Sequence, residues 1–199
     1  MFANRQIVTG LVVMLTLSTI GCSESITAPT SFTKHTSSKG TFQCEFPADW
    51  ENQGGGQGAA REWAKATKGS AVIRISTDIA GSALADMGGA GAFTDSYEES
   101  EDLEPVAQVH AFGKLAMEEE YNDYKELSKP EKSNCGFPRS RRSEFTANGT
   151  FGGKLHGYRV TALGRDKRIV MICSCSEDDW STLKPAFDQV IESLQQGGS

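Results

Sequence analysis

A chain of 199 residues is long enough for one domain with a buried core of its own. Its 38% hydrophobic and 23% charged residues are the ordinary balance of a globular protein. The net charge of −6 argues against a nucleic-acid partner, which calls for a basic patch, and no apolar run reaches the roughly 18 residues of a membrane-spanning helix.

The first predicted element is a leader. A single cation, Arg5, precedes an uncharged, mostly apolar stretch from Ile7 to Ile20. That is the anatomy of a secretory signal, and it is too short to span a bilayer comfortably. The stretch ends in Thr19-Ile20-Gly21-Cys22, which resembles the lipobox of bacterial lipoproteins, with threonine where leucine is usual. The resemblance implies that residues 1–21 are a signal peptide cleaved before Cys22, and that lipid is attached to the thiol and amine of Cys22. Several acyl chains hold a protein on a membrane stably. A plainly secreted chain and an uncleaved anchor are the alternatives. Ser23, rather than aspartate, favours the outer over the inner membrane by resemblance to the enterobacterial sorting rule. The domain would then face the periplasm or the exterior. Loss of the leader removes Arg5 and no acid, so lipid rather than the acidic domain surface would attach the chain to a membrane.

Residues 22–40 are rich in serine and threonine and show no apolar period, as a flexible tether does. From residue 41 to 199 the pattern is that of a domain. Phe42, Cys44 and Phe46 alternate with Gln43 and Glu45, which predicts a half-buried strand that Pro47 ends. The glycine-rich stretch 52–60 reads as a loop. A second strand is expected within 61–78, best at Val72-Ile73-Arg74-Ile75. A helical turn is expected from Ser82 to Met87, broken by Gly88, Gly89 and Gly91, and the acidic run Glu98 to Glu104 reads as solvated loop.

Residues 104–127 read as a helix. Pro105 suits its first turn, and Val106, Val109, Gly113, Met117, Tyr121 and Tyr124 fall three or four apart. Gly113 weakens such a helix by about 1 kcal/mol relative to alanine, a cost that close approach to a sheet would explain. Residues 141–147 form a short strand, and 154–176 a hairpin about Gly164 to Lys167. A last helix follows over 178–195. Ser176 and Asp179 make a capping-box-like start, and Trp180, Leu183, Phe187, Val190, Ile191 and Leu194 form one apolar stripe. Pro185 inside it would kink or delay the first turn. The order is strand, strand, helix, three strands, helix, which makes an α+β domain on an antiparallel sheet.

Three stretches carry a family resemblance. GTFQCEFPADW resembles the opening strand and corner of PsbP-like domains, and CGFPRSRRSEF resembles their central strand. YRVTALGRDKRIVMICSCSEDDWSTLKPAFDQVIESL is similar to their closing hairpin and last helix. The resemblance covers about half of the mature chain. It implies an α/β/α sandwich and a binding or assembly role without a catalytic centre or cofactor.

The residue chemistry itself is sparse. Cys173 and Cys175 alternate onto one strand face with Ile169 and Met171, where two thiolates converge poorly on a metal. Glu177, Asp178 and Asp179 oppose a redox thiolate there and complement a helix N-terminus instead. Cys44, Cys135, Cys173 and Cys175 are therefore candidates for core thiols or a structural disulfide, with Cys44 or Cys135 the plausible partner. A thiol-redox or metal-binding protein using Cys173 and Cys175 is the competing reading. Arg139, Arg141 and Arg142 either grip an anion or pair with the abundant acids, the second being favoured. No histidine pair has metal-ligand spacing. The expectation is a non-catalytic, lipid-anchored envelope factor that binds a protein partner and no nucleic acid.

Overall fold

The computed structural model describes residues 26–57, 61–79, 104–149, 152–164 and 167–198. The leader, Cys22, the turn expected at 82–87 and the acidic run 98–102 lie outside the described residues.

Strands β1 (Phe32–Thr36) and β2 (Phe42–Pro47) form a small sheet, which β11 (Gln195–Gln196) completes in the order β1-β2-β11. The large antiparallel sheet has the order β3-β4-β5-β10-β9-β8-β6. Its strands are β3 (Glu51–Gln57), β4 (Arg61–Lys68), β5 (Ala71–Ile79), β6 (Asn122–Glu126), β8 (Arg139–Asn148), β9 (Lys154–Leu163) and β10 (Lys167–Ser176). The two-residue β7 (Glu131–Lys132) pairs with β8. Helix α1 (Pro105–Glu120) lies on one face of this sheet, and helix α2 (Trp180–Ser193) on the other, beside the small sheet.

Alternation explains the layers. On β10, Ile169, Met171, Cys173 and Cys175 point to one side, and the register pairs Met171 with Val160 and Cys173 with Tyr158. The stripe Leu183, Phe187, Val190 and Ile191 of α2 closes over them, with Phe42 and Phe46 from the small sheet. This is the main core, and Trp50 meets Phe187 edge-on within it. Ser176 caps the junction by accepting from the Asp179 N–H at 3.3 Å, and a 3₁₀ turn over Glu177–Asp179 precedes α2, as the capping pattern predicts.

Four local expectations are corrected. The tether expected over 22–40 is interrupted, because Phe32–Thr36 is a strand paired with β2 and Ile26 rests against the main core. The cause is Glu62, only 2% exposed, whose carboxylate accepts from the hydroxyls of Ser37 and Ser38 and from the Lys39 N–H. Hydroxyls that read as solvated spacer are acceptor partners of a buried acid. The glycine-rich stretch is strand β3 rather than loop. A side chain at Gly55 would meet the Trp63 indole at 3.2 Å, so the glycines make room for a ring lying on them. Helix α1 ends at Glu120, seven residues early. The chain turns at Tyr121, with Asp123 at φ 52°, so that Tyr124 reaches the Met117–Phe145 cluster from strand β6. The single strand expected over 61–78 is two strands, β4 and β5, joined at Gly69 with φ +54°.

Candidate functional site

The cysteines serve the core. Cys44, Cys173 and Cys175 are buried and Cys135 half-buried, and all four thiols are free. Burial, with Glu45 adding to it, pushes the Cys44 thiol up to about 12. Burial, then Asp179 and Glu177, does the same to Cys175, also to about 12. Burial, then Cys44, Asp188 and Cys175, raises Cys173 well above the thiol range. Redox and metal-ligating cysteines need the opposite shift. Among the described residues no three histidine, cysteine or carboxylate groups converge as a metal site.

The predicted arginines divide between the two faces of β8. Arg141 pairs with Glu104 at the start of α1. Arg142 lies 4.7 Å above the Tyr158 ring and pairs with Glu131 and, at 2.9 Å, with Asp188 of α2. Arg139 is exposed. They do not gather into one anion grip.

The face under α1 holds chemistry that spacing did not single out. Arg159 is 1% exposed and pairs with Glu126. It also donates to the His110 carbonyl at 2.6 Å and to Tyr124 Oη at 3.3 Å. Ser143 donates to Glu126 at 2.8 Å, so its Oγ must accept from His110 Nε2 at 3.1 Å, and Thr161 donates to His110 Nδ1 at 2.9 Å. Burial, then the charges of Arg159 and Arg141, lower His110 to about 3, which keeps it neutral as these bonds require. A serine beside a histidine invites comparison with a nucleophile and its base. Here the polarity is reversed, since histidine donates to serine, and both groups are buried. The network orders the layer under α1. Gly113 belongs to it, because a Cβ there would lie 3.0 Å from Arg159 Nη1.

Beyond this network the same face is cationic. Register sets Trp63, Ser76, Val170 and Thr161 in one row across β4, β5, β10 and β9, and Lys65, Arg74, Ile172 and Arg159 in the next. Arg168 stands opposite Asp78, and Arg61 reaches the same Asp78 at 3.6 Å. Four cations beyond the network, five with Arg159, thus share a face with the carboxylates Asp78 and Glu120 on a chain of net charge −6. Trp63 stands among them, 37% exposed. A cleft of about 390 Å³ opens between α1 and this face. Val170, Ile172 and Thr161 form its floor, Val109, Gly113 and Met117 its wall, with Arg74 and Arg168 among its lining. Alternation places Arg74 and Arg168 off the core face of their strands, a signal legible in sequence; that β5 and β10 are neighbours was not.

This architecture is shared with solved structures of low sequence identity. Cyanobacterial PsbP (CyanoP) from Synechocystis sp. PCC 6803 superposes with a TM-score of 0.54 at 14% identity, over 83% of this chain and 92% of that one. The fold is PsbP-like. LpqN, involved in cell envelope biogenesis of Mycobacterium tuberculosis, superposes with a TM-score of 0.51 at 12% identity, over 84% of this chain and 91% of that one. No protein-family model and no curated protein matches the sequence. The PsbP-like sheet places its apolar face on α2 and leaves the cationic cleft beside α1.

Proposed function

We propose that the chain is a lipid-anchored protein of the bacterial cell envelope whose PsbP-like domain is a non-catalytic binding or assembly factor. The observation that carries this reading is the cationic face beside α1, with its cleft and exposed Trp63, on an otherwise acidic chain. An exposed aromatic among arginines is the composition of a binding surface. The groups that resemble catalytic ones are buried and satisfied by each other. The fold's likeness to LpqN, a protein involved in envelope biogenesis, supports the location.

The anchor is Cys22, with residues 1–21 as the cleaved signal. Four residues span at most about 14 Å, so lipid on Cys22 would hold Ile26 close to the bilayer. Ile26 lies against Gly69, and its N–H bonds Asp179. That end of the sheet, the β4–β5 turn and the 3₁₀ turn, is then the membrane-proximal end. The partner is an envelope protein reached at this short distance.

Metabolic labelling with a fatty acid, followed by membrane fractionation, tests the anchor. The full chain should carry label and sediment with outer membranes, and Cys22→Ala should lose both. Label retained by Cys22→Ala contradicts the anchor. Crosslinking of the labelled chain in native membranes should then recover a discrete protein adduct, and its absence contradicts the binding role.

A further inference from the structure

We infer that the cleft between α1 and strands β5, β10 and β9 is a binding site for a single-chain amphiphile with an anionic head. This deepens the binding role proposed above and rests on it.

Size and lining come first. Small-molecule sites hold about 300–1,000 Å³ and are mostly apolar, with a few polar groups that fix orientation. This cleft, about 390 Å³, lies at the lower end, which suits one hydrocarbon chain rather than two. Val109, Ala116, Met117, Val170 and Ile172 supply the apolar path.

The charges then set the direction in which a ligand lies. Arg74 is already held by both carboxylate oxygens of Glu120, at 2.6 and 2.7 Å. Glu120 therefore repels an anion from that end. Arg168 is under-partnered. It meets Asp78 at 3.5 Å, and its buried Nε has no hydrogen-bond acceptor among the described residues. Buried N–H groups without acceptors are rare in folded proteins, and a guanidinium presents its donors as a fork that fits carboxylate or phosphate. The Arg168 side chain is 24% exposed and so reachable from solvent. Ser76 lines the cleft beside it. A second cavity, about 300 Å³, continues past Arg168 to Arg61, shares Ser76, Arg168 and Val170 with the first, and is lined also by Asp78, which contacts the two arginines only at 3.5 and 3.6 Å where Glu120 holds Arg74 at 2.6 and 2.7 Å. An anionic head at Arg168 competes with the loosely held Asp78 for the guanidinium and takes its Nε–H, with Arg61 beyond it and the chain directed along Val170 towards Met117.

The test is native mass spectrometry of the full chain carrying Cys22→Ala, titrated with dodecanoate, dodecyl phosphate and dodecanol below their micellar concentrations. The expected result is a saturable one-to-one complex with the anions and binding at least about tenfold weaker for dodecanol. Arg168→Met should weaken the anions about tenfold and leave dodecanol unchanged. Val170→Trp should abolish all three, while Lys34→Gln on the small sheet should change none. Dodecanoate against dodecyl phosphate reports which head the site takes. Equal binding by wild type and Val170→Trp, or by dodecanol and the anions, overturns the site. So does binding of an acidic peptide with no binding of either amphiphile. Failure here leaves fatty-acid labelling at Cys22 and the crosslinked adduct standing, whereas loss of those leaves binding in the cleft standing.

Discussion

The two faces of the large sheet are built on opposite principles. The face under α2 is mostly hydrocarbon: Ile73, Ile75, Val160, Met171 and Cys173 meet Leu183, Phe187 and Ile191, and its buried carboxylate, Glu62, stands apart at the start of β4 under Ser37 and Ser38. The face under α1 buries Arg159 and His110 against the half-buried Glu126 and divides its apolar contacts into two small clusters. Burial of hydrocarbon stabilises without direction, whereas a buried ion pair barely offsets its own desolvation but fixes geometry. The first face holds the domain together. The second positions α1 and, beside it, the cationic cleft.

The largest effects should come from cutting each face in its own way. Phe187→Ala should cost about 3–5 kcal/mol through the cavity it leaves. Glu126→Ala should cost a comparable 3–5 kcal/mol, because Arg159 stays buried without its counter-ion. The faces separate in the double replacement Arg159→Met with Glu126→Leu, which should restore most of that loss in urea unfolding. If the double variant is as unstable as the single one, the polar layer is a true stabilising core and the contrast fails.

A middle-sized effect concerns pH. The folded-state pKa of His110 is depressed to about 3, against an ordinary value near 6.5. Between these values the unfolded chain binds a proton that the folded chain does not. Stability from this group is complete above about pH 6.5 and falls as pH drops, by at most about 1.4 kcal/mol per pH unit. Urea midpoints measured from pH 7 to pH 5 should therefore decline, and His110→Gln should remove most of the decline. The acid side of the profile belongs partly to Glu62. Its burial raises its pKa, but hydrogen bonds from Thr41, Lys39, Ser38 and Ser37 together hold it below the usual carboxylate value. That contribution is present above the ordinary glutamate pKa and lost only at lower pH, so the window from 7 to 5 reports the histidines: His110 and, with the same sign, His35, whose pKa burial also lowers.

The smallest effect is at Gly113. Alanine should add about 1 kcal/mol of helix propensity. The added Cβ would meet Arg159 Nη1 at 3.0 Å, and that nitrogen is held by the His110 carbonyl. Gly113→Ala should therefore bring no gain alone, and should recover about 1 kcal/mol when combined with Arg159→Met. A gain in the single variant would mean that the layer under α1 is loose.

The face under α2 was readable in the sequence because alternation on β9 and β10 and the stripe on α2 are local patterns with one period each. The family resemblance also pointed to the sandwich. The other face was not readable, because its groups come from distant stretches. Arg159 alternates like any strand residue, and nothing local says that Glu126 and His110 will close on it. Gly113 was the one clue, and close approach to the sheet is what the structure shows there. The helix end is hidden in the sequence because Tyr121 and Tyr124 continue the three-four spacing of α1, while Tyr121 packs half-buried from the turn and Tyr124 is buried from strand β6. Strand β1 is not legible in the sequence because Ser37 and Ser38 look like spacer until Glu62 is placed beside them. The arginines chosen from sequence, Arg139, Arg141 and Arg142, stood out by adjacency. Arg74 and Arg168, far apart in the chain, are brought together only by the β5–β10 register.

Amide chemical-shift mapping of the full chain during titration with dodecanoate tests most directly whether the face beside α1 is the working face. Saturating shifts confined to residues 74–76, 109–117 and 168–172 are the predicted result. Shifts centred on α2 and the small sheet, or no saturable shifts at all, would contradict it.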